Sequence, residues 1–327
     1  MISIWRLVGV AGLTLAPAFA AVDGVVMNGT TGKPQPNVIV SLVQPGQGGM
    51  QNLGSAKTDA QGRFRIDKEA QGPQLVQAFY AGVQYNKMVF PGAPATGIQV
   101  DVFDASNKPG FAKVSQHFIV LQPDANQMAV SEGILYQDDG KETYNDPVNG
   151  TCRFYLPPEA KGKVTVTVNA PGGMPISRPA EPTQEPNVYK VNYALKPGET
   201  RFDLNYTLPV TNPMTFSTKI LHSEGASDLV VPKGVSLKGE DIELAGQEPK
   251  TQASVYRIKS ASFKVEVTGS GSLQQPAGDN SSASEDDSGQ PTIHEVKPRI
   301  YDRLYWILGM SFAILGLGSA LLYRSKA

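Results

Sequence analysis

The sequence predicts an all-β fold, in which tandem β-sandwich modules are followed by a disordered stalk and one C-terminal transmembrane helix. Short segments of alternating apolar and polar residues are separated by turns that use many of the 33 glycines and 25 prolines. This pattern is typical of sandwiches and barrels. Long amphipathic helical patterns are missing from the sequence before residues 304–323, a hydrophobic stretch without a charged side chain.

Residues 1–20 predict a cleaved secretory signal peptide. Arg6 supplies an early positive charge, residues 7–19 are apolar, and Ala18-Phe19-Ala20 has the A-x-A form of a cleavage site. The apolar stretch is shorter than the roughly 20 residues that span a bilayer. We therefore expect cleavage after Ala20 and export of the chain.

Residues 304–323 predict a single transmembrane helix, because an uncharged stretch of this length can cross the hydrocarbon core. Tyr305, Trp306 and Tyr323 lie at its borders, where aromatic rings prefer the headgroup level. Residues 324–327 are expected to form a cytoplasmic tail. Together with the signal peptide, this predicts a single-pass plasma (inner) membrane protein with most of its chain in the periplasm or extracellular space.

Small residues recur within this predicted helix at spacings that place them on one face, which lets a second helix approach closely. Glycine is common in such helices in any case, so the pattern is consistent with association with another helix and also with a helix that has no partner. The small residues are Gly309, Ala313, Gly316 and Ala320.

Four segments are expected between the two ends of the chain. They are a first sandwich over residues 22–104, a second sandwich over 113–210, a small β unit over 214–269 and an acidic linker over 270–298. The small β unit is either an independent sandwich or a set of extra strands on the second module. The linker contains few apolar residues, so it is expected to be disordered.

The first module resembles a known family. Its residues Gly24-Val25-Val26, Thr31-Gly32-Lys33-Pro34, Val38-Ile39-Val40 and Thr58-Asp59-x-x-Gly62-x-Phe64 are similar to the carboxypeptidase regulatory-like domain. The resemblance implies a transthyretin-like β-sandwich and hence tandem immunoglobulin/transthyretin-like modules. It implies no peptidase, because the family's module carries no catalytic residues and is appended to many secreted proteins.

Two alternating stretches of the second module predict strand faces. Cys152 alternates with Phe154 and Leu156, so the one cysteine of the chain is expected to be a small buried side chain. An intermolecular disulfide or a reactive thiol is the alternative. A second stretch places four apolar residues on one face before Pro209: Phe202, Leu204, Tyr206 and Leu208.

The search for chemistry predicts no catalytic residue and no cofactor. His117, His222 and His294 fall in three different predicted segments, without the spacing of a zinc site. No nucleophile elbow or phosphate-binding loop is found in the sequence. The chain is therefore expected not to be an enzyme.

Asp138, Asp139 and Asp146 are the candidate metal ligands. Carboxylates close together in sequence suit calcium, but Asp-Gly and Asp-Pro steps also form ordinary turns, which is the favoured interpretation.

A net charge of −1 gives no basic field for nucleic acid. We expect a non-catalytic, membrane-anchored extracytoplasmic binding or scaffold protein with a protein or glycan partner. The alternatives are an accessory subunit of an envelope complex and an enzyme with an unrecognised site.

Overall fold

The computed structural model describes residues 21–46, 49–68 and 72–273, which form β-strands and one short 3-10 turn, Pro158–Ala160. This confirms the all-β prediction. The predicted signal peptide, transmembrane helix and tail, and the linker after residue 273, lie outside the described residues. Within the described part of the chain, no helix has the length and apolar character needed to cross a membrane.

The first module consists of two sheets with the core between them. One sheet pairs the first strand with the second, the fifth and, in parallel, the eighth, and the other has the order β4-β3-β6-β7. The fully buried side chains of Val22, Val40 and Val76 belong to its core. Its strands are β1 (Val22–Asn28), β2 (Lys33–Pro34), β3 (Ile39–Gly46), β4 (Gly49–Lys57), β5 (Arg63–Ile66), β6 (Gln74–Tyr80), β7 (Val83–Val89) and β8 (Ile98–Val102).

The rest of the described chain contains sixteen further strands. Those of residues 105–209 are β9 (Ala105–Ser106), β10 (Ala112–Pro123), β11 (Gln127–Asp138), β12 (Thr143–Tyr144), β13 (Cys152–Tyr155), β14 (Thr165–Asn169), β15 (Ile176–Arg178), β16 (Glu181–Pro182), β17 (Val188–Val191) and β18 (Gly198–Pro209). Those of residues 215–268 are β19 (Thr215–Lys219), β20 (Ala226–Val231), β21 (Ser236–Lys238), β22 (Ile242–Gln247), β23 (Ser254–Ile258) and β24 (Ser262–Thr268).

One eight-stranded sheet joins the second sandwich to the small β unit. Its order is β15-β14-β18-β11-β10-β20-β23-β22, and β20 pairs with β10 in parallel. The smaller sheets β13-β17-β16 and β19-β24-β21 contribute buried residues to the same core cluster. The strands of residues 214–269 thus extend the sheet and the core of the preceding module.

The alternation of apolar residues correctly predicted two strand faces. Phe202, Leu204, Tyr206 and Leu208 are buried, and so are Cys152, Phe154 and Leu156. The strand that carries the first of these faces, β18, begins at Gly198, directly after Pro197. The reason is that Gly198 pairs with Asp138 at the end of β11, which extends the ladder between these two long strands.

Several side chains connect the first module to the second. The hydroxyls of Tyr85 and Thr143 lie 2.8 Å apart, and the Thr30 hydroxyl donates to the Lys141 carbonyl oxygen. Lys196 Nζ donates to the Gln84 carbonyl oxygen over 2.6 Å. Because these contacts hold the two modules together, residues of both can line one surface groove.

Candidate functional site

A β-bulge at Ser115 turns His117 towards the core of the large sheet. The pairing of β10 with β11 shifts register between Val114 and Gln116. Before the bulge Ala112 and Val114 are buried, whereas after it the odd-numbered positions from His117 onward are buried. An extra residue in one strand reverses which side chains face inward. The bulge is therefore what brings an imidazole into the core.

A buried chain of hydrogen-bonding side chains starts from this histidine. His117 is only 4% exposed and Glu132 only 3%. His117 Nε2 lies 3.4 Å from a carboxylate oxygen of Glu132, and the Tyr206 hydroxyl donates to the other carboxylate oxygen. On its opposite side, His117 Nδ1 lies 3.0 Å from His222 Nε2. We call these four residues, Tyr206, Glu132, His117 and His222, the polar chain.

The backbone fixes the protonation of one nitrogen in the polar chain. His222 Nδ1 lies 2.6 Å from the carbonyl oxygen of Glu224, which can only accept a hydrogen bond, so Nδ1 carries a hydrogen. Burial, together with His117, lowers the pKa of His222, although the bond to Glu224 opposes this. Burial and the Glu132 carboxylate hold the pKa of Tyr206 well above its usual value, so its hydroxyl stays a donor.

His222 lies at the surface end of the polar chain, where it lines one half of a groove. This larger lobe has a volume of about 960 Å³, and its walls include residues 109–115 and 221–225 together with Tyr136 and Asp139. A smaller lobe of about 510 Å³ is lined by Thr30, Tyr144 and residues 108–111 and 138–142. Phe111 is 72% exposed and lies where the two lobes meet, since it lines both of them together with Pro109, Gly110 and Asp139.

The structure divides the three candidate metal ligands between two places. Asp138 and Asp139 line the groove, whereas Asp146 lies in a turn where its Oδ1 accepts from the amides of Val148 and Asn149 over 3.0 and 2.9 Å. Asp138 Oδ1 likewise accepts from the Gly140 amide over 2.8 Å. These are turn interactions of the kind that short acidic side chains form with their own backbone.

The carboxyl groups at the two places differ in acidity. Burial raises the pKa of Asp138, and the charges of Asp139 and Glu142 add to this effect. Hydrogen bonds from Asn149 lower the pKa of Asp146. Within residues 21–46, 49–68 and 72–273, no group of three or more histidine, cysteine, aspartate or glutamate side chains is arranged to hold a metal ion.

Sequence reasoning did not bring the two histidines of the polar chain together. They are 105 residues apart and fall in segments predicted to be separate. A usable signal is present at Glu132, which occupies an inward position between Val130 and Ile134 on β11. A carboxylate at such a position requires a buried partner, but the partner cannot be identified without the pairing of β10 with β20.

Comparison with known proteins does not assign the chain to a family. No protein-family model matches the sequence. No significant match to a curated protein was found either.

Proposed function

We propose that the chain is a non-catalytic, membrane-anchored binding or scaffold protein of the cell envelope, and that its groove contacts a partner protein. The observation that carries this proposal is the exposed ring of Phe111 between two lobes. Exposed aromatic side chains next to pockets are typical of the centres of protein interfaces. The envelope location is supported by the sequence patterns of residues 1–20 and 304–323.

The local backbone presents the Phe111 ring to solvent. The Ala112 amide donates to the Pro109 carbonyl oxygen over 2.8 Å, which closes a tight turn, and Gly110 takes a φ of +55° within it. Opposite the ring lies Gly140, where an added Cβ would come within 3.1 Å of Phe111 Cδ2. The turn and the missing side chain at residue 140 leave the ring at the surface, where it is available to a partner.

The charges around the ring suit a protein partner. Lys113, Asp139 and Glu224 line the larger lobe, so both signs of charge surround an apolar centre. A protein interface has the same arrangement of an apolar core within a polar rim. Burying the ring of Phe111 on binding would remove apolar surface from water, which is favourable.

The experiment is a comparative affinity purification of the full chain, tagged after Ala327, from detergent-solubilised membranes. Wild type is compared with Phe111→Ala and with the control Phe90→Ala, whose ring is also exposed, at 62%, but lines neither lobe. We expect one partner to be recovered with wild type and Phe90→Ala and about tenfold less of it with Phe111→Ala, as for an aromatic hot spot. Equal recovery with all three chains would refute the proposal.

A glycan array probed with the same three chains identifies the other class of ligand. Binding to a glycan that depends on Phe111 and not on Phe90 would retain the groove as the site but would overturn its assignment to a protein partner. Binding that both variants retain would place the glycan site elsewhere.

A further inference from the structure

We propose that the hydrogen bond between His117 and His222 is a proton-operated latch that holds residues 221–225 against the larger lobe of the groove. Addition of a second proton between the two rings would break the bond and release this segment. The consequence for ligand binding rests on the proposed function of the groove, whereas the latch itself does not.

Counting protons shows why the bond is sensitive to acid. The two facing nitrogens, His117 Nδ1 and His222 Nε2, are 3.0 Å apart. A hydrogen bond between them needs one proton on one nitrogen and a lone pair on the other. When both nitrogens are protonated, two N–H groups face each other and the rings carry like charges. The bond is then replaced by repulsion.

The outer ring nitrogens take their protons first. His222 Nδ1 already donates to the Glu224 carbonyl oxygen, so in the neutral ring Nε2 accepts, and His117 Nδ1 is the donor of the bond between the rings. His117 Nε2 has no hydrogen-bond partner among the described residues and lies 3.4 Å from a carboxylate oxygen of Glu132, so a first added proton binds there and leaves the bond intact. The second added proton then goes to His222 Nε2, in the gap between the rings.

The segment that carries His222 is held tightly at its two ends. Before it, the Ile220 amide donates to the Ala261 carbonyl oxygen over 2.7 Å. After it, Gly225 has a φ of +80° and packs so closely on β10 that an added Cβ would lie 2.6 Å from the Val114 carbonyl oxygen. Between these ends, the His222 side chain contacts His117 and the Glu224 carbonyl oxygen. Losing its bond to His117 would free the middle of the segment and let the amide hydrogen bonds at its ends open to exchange.

Other groups near His222 also affect its titration. Burial and His117 lower the pKa of His222, so the second proton enters at a lower pH than at an ordinary histidine. The charged and titratable groups that share the larger lobe with it are Lys113 of β10, Tyr136 of β11, Asp139 and Glu224. Behind His117 lie Glu132 and Tyr206 of the polar chain.

Release of this segment would alter the groove directly. Leu221, His222 and Glu224 all line the larger lobe. If the groove binds a partner as proposed, affinity at the larger lobe falls in acid because part of its wall is no longer fixed.

Hydrogen exchange measured by mass spectrometry on the full chain tests the latch without any ligand. Exchange is compared at pH 7.5 and 5.5, with labelling times adjusted for the intrinsic rate. The two variants are His222→Gln, which cannot take up the proton, and the matched control His294→Gln, which changes the third histidine of the chain. We expect peptides spanning residues 219–227 to lose at least about fivefold in protection at pH 5.5 in wild type and in His294→Gln. In His222→Gln, protection should be low at both pH values.

Two results would overturn the latch. One is equal protection of residues 219–227 at both pH values in wild type, and the other is the same pH effect in His222→Gln. Neither result bears on Phe111, so a failure of the latch and a failure of the proposed binding function remain distinguishable.

Discussion

The facing ring nitrogens of His117 and His222 lie 3.0 Å apart because β10 and β20 pair in parallel. His222 precedes β20 by only a few residues, and Gln116, the neighbour of His117, pairs with Ala226, the first residue of that strand. The polar chain thus depends on the sheet that joins residues 112–209 to residues 214–269. A substitution in the polar chain therefore tests the connection between these two segments as well as the candidate site.

Glu132→Gln is expected to destabilise the protein. The substitution removes the negative charge of a buried carboxylate, one oxygen of which lies 3.4 Å from His117 Nε2 in the core. Breaking a buried pair by changing one partner typically costs about 3–5 kcal/mol, and we expect about 3 kcal/mol because the amide oxygen can still accept from Tyr206. Urea unfolding of both chains measures the difference in the free energy of unfolding.

The matched control for this prediction is Glu199→Gln. Glu199 lies on β18, the strand next to β11, and is exposed. A surface change of this kind is expected within about 0.5 kcal/mol of wild type. If the two substitutions destabilise equally, the polar chain contributes nothing specific to stability.

Lys196 makes the stability depend on pH above neutrality. Burial lowers the pKa of its ammonium group from 10.5 to about 8. Between pH 8 and 10.5 the unfolded chain therefore binds more protons at this side chain than the folded chain does. Stability contributed by this group is present at high pH and is lost as the pH falls through about 8.

We expect the free energy of unfolding to rise when the pH increases from about 7.5 to 9.5, and this rise to be smaller in Lys196→Met. Denaturant unfolding at several pH values within this range measures both slopes, and it avoids the ionisation of tyrosine near its usual pKa of about 10. Lys87→Met is the control, since Lys87 is an exposed lysine on β7, and its slope should equal that of wild type. A Lys196→Met slope equal to that of wild type would contradict the prediction.

Cys152 is expected to be unreactive in the folded protein. Its side chain is fully buried, and burial raises the pKa of the thiol to about 12, so the nucleophilic thiolate is scarce at neutral pH. Ellman's reagent should label the native chain at least a hundredfold more slowly than the chain in denaturant. Rapid stoichiometric labelling of the native protein would instead support the reactive-thiol alternative that the sequence left open.

Local patterns predicted the strand faces, and non-local pairing explains what they could not predict. Alternation alone places Phe202 and Leu204 in the core, because it depends only on the period of a strand. The partnership of His117 with His222 requires the parallel pairing of two strands that are far apart in sequence and, in addition, the bulge at Ser115. Neither leaves a periodic signal in a single sequence.

The three candidate carboxylates show that closeness in sequence also fails to predict which side chains share a surface. Asp138, Asp139 and Asp146 are close together in sequence, and this proximity was the reason to consider them as one calcium site. The backbone separates them, because Asp146 bonds to its own turn while Asp138 ends β11 and faces the groove. Proximity in sequence therefore predicted the turns and could not predict which carboxylates share a surface.

Gly24→Ala is expected to be among the most destabilising substitutions in the first module. Gly24 lies on β1, where it pairs with Phe64 of β5 on one side and Ile98 of β8 on the other. An added Cβ would lie 1.9 Å from the Ile98 carbonyl oxygen, and the strand is paired on both edges, so relief requires the backbone to move. Overpacking usually costs about 1–3 kcal/mol, and we expect at least about 3 kcal/mol when the obstacle is backbone.

The control is Gly173→Ala, since a Cβ at this exposed position would meet only the Ala170 carbonyl oxygen at 3.5 Å, which is ordinary contact. Its free energy of unfolding should stay within about 0.5 kcal/mol of wild type. Thermal and urea unfolding of the two variants measure the difference. Equal stability of Gly24→Ala and Gly173→Ala would show that β1 is not held between β5 and β8 as described, and it would remove the physical reason for a glycine in the Gly24-Val25-Val26 motif.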